Sequence, residues 1–321
     1  MSGNPARERA PNAEPFDPIA AFLDLKLRKK GPLVELKKAD DGVPVYFIHE
    51  LTGNVSCYHY IVEAIEGPAF GIQVPPNERR TSTISTIEDL SSKYVELIVA
   101  KTPHGPICLV GWSAGATIAL EVARQLTSIG RQPGILINID QPIDNAKGIV
   151  SPHHSFLENL YYWLCNEPKR PLHKFASRLV AKVGETVTAV TGRQPAAPVR
   201  YPKNSVDKAR SPEEADFYRK FYHLLFAYIP PRSYSGQVLS FVASENENPD
   251  RLVKSWKSIA PNCQFVPAPG DHDAMVKKGP GVIEVREHIR RAISELPTTP
   301  RLATCAEASA SAEAEVRFAR P

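Results

Sequence analysis

Two hydrophobic rhythms alternate along this chain. Short, nearly continuous apolar runs have the length and composition of strands buried on both faces. They are Val43-Pro-Val-Tyr-Phe-Ile48, Ala69-Phe-Gly-Ile-Gln-Val74, Ile107-Cys-Leu-Val110, Gly134-Ile-Leu-Ile-Asn-Ile139 and Val238-Leu-Ser-Phe-Val242. Between them the apolar positions fall at helical spacing: Tyr58, Ile61, Val62 and Ile65; Ile87, Leu90, Tyr94, Leu97 and Ile98; Ile118, Val122, Leu126 and Ile129. Thr86, followed by Glu88 and Asp89, marks a helix start. Leu33-Val-Glu-Leu36 with the turn signal Asp40-Asp-Gly42 opens the series. Helices over Leu252 to Ile259 and Val282 to Ile293, with the short strand Gln264-Phe-Val-Pro267 between them, close it. The pattern predicts an α/β fold with a mostly parallel central sheet and helices on both faces. In such sheets the sites sit at the carboxyl ends of the strands.

The alternation is interrupted once. Between about 141 and 235 the chain is aromatic-rich and helical in pattern, with a Pro- and Arg-rich loop from Gly192 to Lys203 and a capped start at Ser211-Pro212 for a helix over Glu213 to Tyr228. Placed over the strand ends, this block reads as a lid insertion whose aromatics form mainly a small core of their own. The resulting domain spans 33–296. Residues 1–15 read as disordered, 16–32 as a short helix and linker (Phe16, Ile19, Leu23, Leu27), and 297–321 as a flexible Ala/Ser/Glu-rich tail.

Composition narrows the function classes. The formal net charge is +4 and the Lys and Arg residues are scattered, so no nucleic-acid partner is called for. Five cysteines (Cys57, Cys108, Cys165, Cys263, Cys305) with no C-x-x-C pair suit a reducing compartment and offer no metal site. No secretory leader and no apolar run of membrane-spanning length is present, and a cytoplasmic location is expected.

The chemistry begins at Ile107-Cys-Leu-Val-Gly-Trp-Ser-Ala-Gly-Ala116. A strand runs into Gly111-Trp112-Ser113-Ala114-Gly115 and a helix runs out of it, which is the arrangement of a nucleophile elbow. The turn lifts the Ser113 hydroxyl above the sheet and aims the first helix amides at whatever that hydroxyl attacks. A serine needs a base to take its proton, and the base needs an acid to hold its tautomer. Of nine histidines the best base is His272, in Gly270-Asp-His-Asp273 after the last strand. His288 falls in a helical pattern among arginines, His153, His154, His173 and His223 in the insertion, and His59 and His104 in or near helices. Spacing leaves the acid open between Asp140, at the end of the strand after the elbow helix, and Glu245, Glu247 or Asp250 in the loop after Val242.

From Leu33 to about Ile293 the chain resembles the thioesterase domains at the ends of non-ribosomal peptide, polyketide and animal fatty-acid synthases, and their stand-alone type II relatives, all on the α/β-hydrolase fold. The resemblance rests on Pro44-Val-Tyr-Phe-Ile-His49 with Gly53, Phe70-Gly-Ile-Gln73, Gly111-Trp-Ser-Ala-Gly115 with Leu120-Glu-Val-Ala123, Leu136-Ile-Asn-Ile-Asp140, Tyr234-Ser-Gly236, and Pro269-Gly-Asp-His272 followed by Met275. It implies Asp140 as the acid, hence the triad Ser113, Asp140 and His272, and an oxyanion hole from the backbone amides of Ala114 and Leu51. The family often carries a Pro and a second Gly after the first histidine, whereas this chain reads His49-Glu-Leu-Thr-Gly53.

What the resemblance implies is a hydrolase releasing an acyl, peptidyl or polyketide chain from a phosphopantetheine thioester, by hydrolysis or cyclisation. The arm would be borne by an acyl or peptidyl carrier protein or by coenzyme A, and no cofactor or metal is required. No synthase module precedes Leu33, so a free-standing enzyme or an excised terminal domain is expected. The rivals are a carboxylester hydrolase or lipase on the same fold, and a non-catalytic module that binds a synthase.

Overall fold

A computed structural model describes residues 31–75, 78–79, 84–143, 211–230 and 232–297. The expected N-terminal helix, the C-terminal tail and most of the insertion, including Cys165 and His153, His154 and His173, lie outside the described residues. The elements are β1 (Leu33–Lys37), β2 (Val45–Ile48), a 3₁₀ turn (Ser56–Tyr58) running into α1 (His59–Val62), β3 (Ala69–Ile72), α2 (Ile87–Lys101), β4 (Cys108–Trp112) and α3 (Ala114–Ser128). Then follow β5 (Ile135–Ile139), α4 (Pro212–Ala227), β6 (Val238–Ala243), α5 (Pro249–Ile259), β7 (Cys263–Ala268), a 3₁₀ turn (Asp273–Met275) and α6 (Pro280–Ser294).

The strands form one sheet in the order β1-β3-β2-β4-β5-β6-β7, with β1 antiparallel and the others parallel. Both faces are covered. Alternate strand residues divide between two hydrophobic clusters, with Tyr46, Ile48, Leu109 and Leu136 in one and Val45, Phe47, Val110 and Ile137 in the other. This period-2 partition is why the strands read as continuous apolar runs. The first cluster takes in α2, α3, α4 and α5, the second α1 and α6. The helix starts follow their sequence signals. Thr86 Oγ1 accepts from Asp89 N (3.0 Å), and Ser211 Oγ accepts from Glu214 N (3.2 Å).

One expectation changes. The helix read as part of a lid with its own core belongs to the body of the domain. Phe217, Tyr218, Phe221, Leu225 and Tyr228 are all buried in the same cluster as Ile48, Leu51 and Ala114. Its far end is fixed by a buried polar contact, the Tyr228 hydroxyl donating to Glu121 Oε2 of α3 (2.9 Å). Burial pushes the Glu121 carboxyl up, but donors from Arg124, Gln125 and Tyr228 outweigh it and hold the group below the usual carboxylate range. Aromatic periodicity alone does not say which core such a helix joins.

Candidate active site

The elbow is built by close approach. A Cβ on Gly111 would lie 2.4 Å from the Gly115 carbonyl oxygen and 2.5 Å from Ala116 N, both backbone atoms. One on Gly115 would lie 2.5 Å from the Ile48 oxygen and 2.8 Å from that of His49. The first glycine lets α3 fold back on β4. The second lets the start of α3 press against the end of β2. Between them Ser113 has φ 54° and ψ −131°. Among the described residues only two non-glycine residues have positive φ, and the other is Asp140 (φ 53°). Such conformations cost on the order of 1–3 kcal/mol each and cluster where function requires them.

Asp140 follows β5 on the strand next to the elbow, its backbone N–H donating to the Phe241 carbonyl (3.1 Å). Its turn is shaped by buried Asn138, whose Oδ1 accepts from Gln141 N (3.2 Å) while its Nδ2 donates to Ser240 Oγ (2.8 Å). The Asp140 carboxylate is fully engaged. Oδ1 accepts from Ala243 N (2.9 Å) and Asn246 Nδ2 (2.8 Å), and Oδ2 stands 2.9 Å from His272 Nδ1. The loop after β6, the rival source of an acid, thus supplies donors. Glu245, Glu247 and Asp250 are exposed there, and Asn246 points inward.

His272 arrives on the loop after β7, anchored by buried Met275 and Val276. Trp112 holds it doubly, with rings stacked at 5.0 Å and 27° and indole Nε1 donating to the His272 carbonyl (3.1 Å). The imidazole is 39% exposed, against 2% for the Asp140 side chain, so one end of the pair meets solvent and the other meets the sheet. Of the other described histidines, His104 and His223 are exposed. His288 lies against Glu284 and the edge of Phe241. Trp112 and Asn246 are site residues that the sequence reading did not single out. The signal for Trp112 was its place beside Ser113; Asn246 had none.

Leu51 lies buried in the turn after β2, where Gly53 N donates to Glu50 O (3.0 Å) and the Glu50 carboxylate accepts from Thr52 N. The turn is backed by fully buried His49. A carbonyl can only accept, so His49 Nδ1 carries the proton it gives to Glu50 O (2.6 Å). Nε2 therefore accepts from the Tyr94 hydroxyl (2.8 Å). Phe221 covers the ring at 5.5 Å. Burial, and secondarily the Arg79 charge, lower the His49 pKa to about 4 against the pull of the Glu50 carbonyl.

A pH effect on stability follows. Between pH 6.5 and about 4 the unfolded chain binds a proton at this position that the folded chain refuses. The neutral-histidine contribution is complete above 6.5 and is lost as pH falls toward 4. It amounts to about 3 kcal/mol for a pKa moved from 6.5 to about 4. Urea unfolding at pH 7.5 and 4.5 is expected to show that loss, and His49→Asn to remove most of the difference. An undiminished difference in the variant would assign the effect elsewhere.

Among the described residues no group of three or more His, Cys, Asp or Glu side chains is arranged to hold a metal ion, and no helix is long and apolar enough to cross a membrane. Cys57, Cys108 and Cys263 are free thiols.

Residues 43–155 match the family model described as a thioesterase domain. Polyketide synthase PksR of Bacillus subtilis (strain 168) is 30% identical over 152 residues, which is 47% of this chain and 6% of the synthase. Nonribosomal peptide synthetase apvA of Aspergillus terreus is 22% identical over 280 residues, 84% of this chain and 30% of the synthetase. The chain therefore spans a small part of the curated relatives it matches. Among solved structures, the NocB thioesterase domain from the nocardicin cluster superposes with a TM-score of 0.55 at 20% identity, over 82% of this chain and 98% of that one. A four-domain nonribosomal peptide synthetase bound to AMP and glycine gives 0.57 at 19% identity, over 86% and 21%. These superpositions establish the fold. That fold is the α/β-hydrolase fold of those structures, and within it residues 43–155 are similar to a thioesterase domain.

Proposed function

We propose that the chain is a serine hydrolase that releases an acyl, peptidyl or polyketide group from a phosphopantetheine thioester, with Ser113 as nucleophile, His272 as base and Asp140 as the acid that orients it. The observation that carries this reading is the coincidence of strain and pairing. Among the described residues, the two non-glycine positions held at positive φ are the elbow serine and the aspartate, and that aspartate is 2.9 Å from the His272 ring. In the reaction, Ser113 Oγ attacks the thioester carbonyl and its proton passes to His272 Nε2. The imidazolium is steadied by Asp140 through Nδ1–H. The backbone amides of Ala114 and Leu51 are the proposed donors to the oxyanion. As the tetrahedral species collapses, the C–S bond breaks and His272 returns the proton to the departing thiol. Water, or a nucleophile within the acyl chain itself, then attacks the acyl-serine with His272 again as base. No cofactor or metal is needed for these steps.

The names of the relatives support a carrier-bound substrate, since several are polyketide or non-ribosomal peptide synthases. An acyl or peptidyl carrier protein, or coenzyme A, is the proposed partner, and a location inside the cell accords with such a substrate. The deciding measurement compares acyl-pantetheine thioesters with matched oxygen esters of the same acyl group. Faster turnover of the thioesters is expected. A preference for the oxygen esters would make this a carboxylester hydrolase. Folded protein in which Ser113 takes no label from a fluorophosphonate would make it a binding module.

A further inference from the structure

Beyond the triad, the register of the sheet isolates one hydroxyl at the place where the two proposed oxyanion donors diverge. In the parallel pair β2–β4, Cys108 N donates to Pro44 O (2.9 Å), and the register advances evenly through Tyr46↔Leu109 and Ile48↔Gly111. Parallel ladders repeat every two residues, so the same series puts Val110 N opposite Tyr46 O and Trp112 N opposite Ile48 O. At that third rung a side chain intervenes. Trp112 N donates to the Tyr58 hydroxyl (2.8 Å), and the hydroxyl donates to Ile48 O (2.7 Å). The ring comes from the 3₁₀ turn ahead of α1, is fully buried, and packs against Phe47 with centroids 4.9 Å apart. A Cβ on Gly115 would lie 3.1 Å from the same hydroxyl, so the first turn of α3 closes over it as well.

We infer that Tyr58 is a positioning residue whose hydroxyl, inserted as a rung between β2 and β4, sets the gap between the turn bearing Leu51 and the elbow bearing Ala114. This rests on the reading of Ser113 as the nucleophile. Without the inserted oxygen, Trp112 N–H and Ile48 C=O would close directly on each other. With it, the strands part by the width of one hydroxyl just where one continues into the Leu51 turn and the other into Ser113. Burial raises the phenol well above its ordinary value, so the group is a donor to Ile48 and an acceptor from Trp112 throughout the working range of pH. The rung touches no reacting atom. Its effect is on where two amides point when charge develops on the substrate oxygen.

The test is Tyr58→Phe, which keeps the ring and removes the rung. Turnover of an acyl-pantetheine thioester is expected to fall about tenfold to a hundredfold with KM within about twofold, short of the 10²–10³ that follows loss of an oxyanion donor itself. Second-order labelling of Ser113 by a fluorophosphonate, whose adduct carries an oxygen in the oxyanion position, is expected to slow in parallel. A residue that only supported the fold would lower the unfolding midpoint and leave both rates of the folded protein unchanged, and that result would overturn the inference. Should Tyr58→Phe fail to fold, 3-fluorotyrosine at position 58 keeps the shape while weakening the acceptor. Slower labelling supports the inference, and wild-type labelling overturns it. Wild-type protein and Ser113→Ala are labelled alongside. If the wild type shows no Ser113-dependent label, the nucleophile reading fails on its own; label in the wild type with an equal rate in Tyr58→Phe removes only the role of Tyr58.

Discussion

Replacing Ser113 by alanine is expected to abolish acyl-adduct formation and to lower turnover on the order of 10⁶-fold, since nucleophile and base act as a unit. The substitution should leave the fold intact. Alanine meets the same left-handed backbone at φ 54° that serine tolerates, and the elbow is fixed by Gly111 and Gly115 rather than by the serine hydroxyl. Ser113→Gly is the informative companion. It removes the nucleophile and also the Cβ that makes this backbone costly, so its unfolding midpoint is expected above that of Ser113→Ala. Intact-mass measurement after incubation with loaded carriers reads the adduct, and thermal unfolding reads the strain. An acyl adduct that persists in Ser113→Ala would place the nucleophile elsewhere.

The second large effect concerns Asp140. Asp140→Asn is isosteric, and the surroundings dictate how the amide must sit. Ala243 N–H and Asn246 Nδ2 are both donors, so the amide oxygen turns toward them and the NH₂ faces His272. A donor at that position forces Nδ1 of His272 to accept, which puts the imidazole proton on Nε2, where the base must be vacant. A loss of about 10⁴ in kcat is expected with little change in stability, the size associated with a base held in the wrong tautomer. Glu245→Gln, Glu247→Gln and Asp250→Asn are expected to stay within about threefold of wild type, as surface substitutions of exposed groups do. The opposite ranking in steady-state kinetics would move the acid to the loop after β6.

The contrast between those two loops shows what the sequence could and could not yield. The strands, the tight turn at Ser113 and the loop carrying His272 were legible because each is written locally. A buried strand is an apolar run, a turn that tight needs glycines on both sides of its serine, and His272 stands alone in a Pro/Gly-marked loop after the last strand. The carboxylate beside His272 was not separable by spacing, because what distinguishes Asp140 from Glu245 is a pair of donors from Ala243 and Asn246, more than a hundred positions away in the chain. Helix α4 shows the same limit. Its apolar residues at 217, 221 and 225 announce a buried face, but only the packing of Phe221 over His49 and of Tyr228 on Glu121 tells which core that face joins. Tyr58 was read as one more apolar position of a helix, and nothing local marks its hydroxyl as part of the sheet.

The attachment of Asp140 has a consequence for how the pair behaves under thermal agitation. The carboxylate is moored to the sheet by Ala243 and Asn246 whether or not the imidazole is near, while His272 rides on a solvent-facing loop tethered by Met275 and Trp112. The two partners therefore have mountings of unequal stiffness. An excursion that swings the ring outward leaves its counterpart in place with Oδ1 still satisfied, and restoring the pair asks only for the loop to settle, roughly a nanosecond-to-microsecond event.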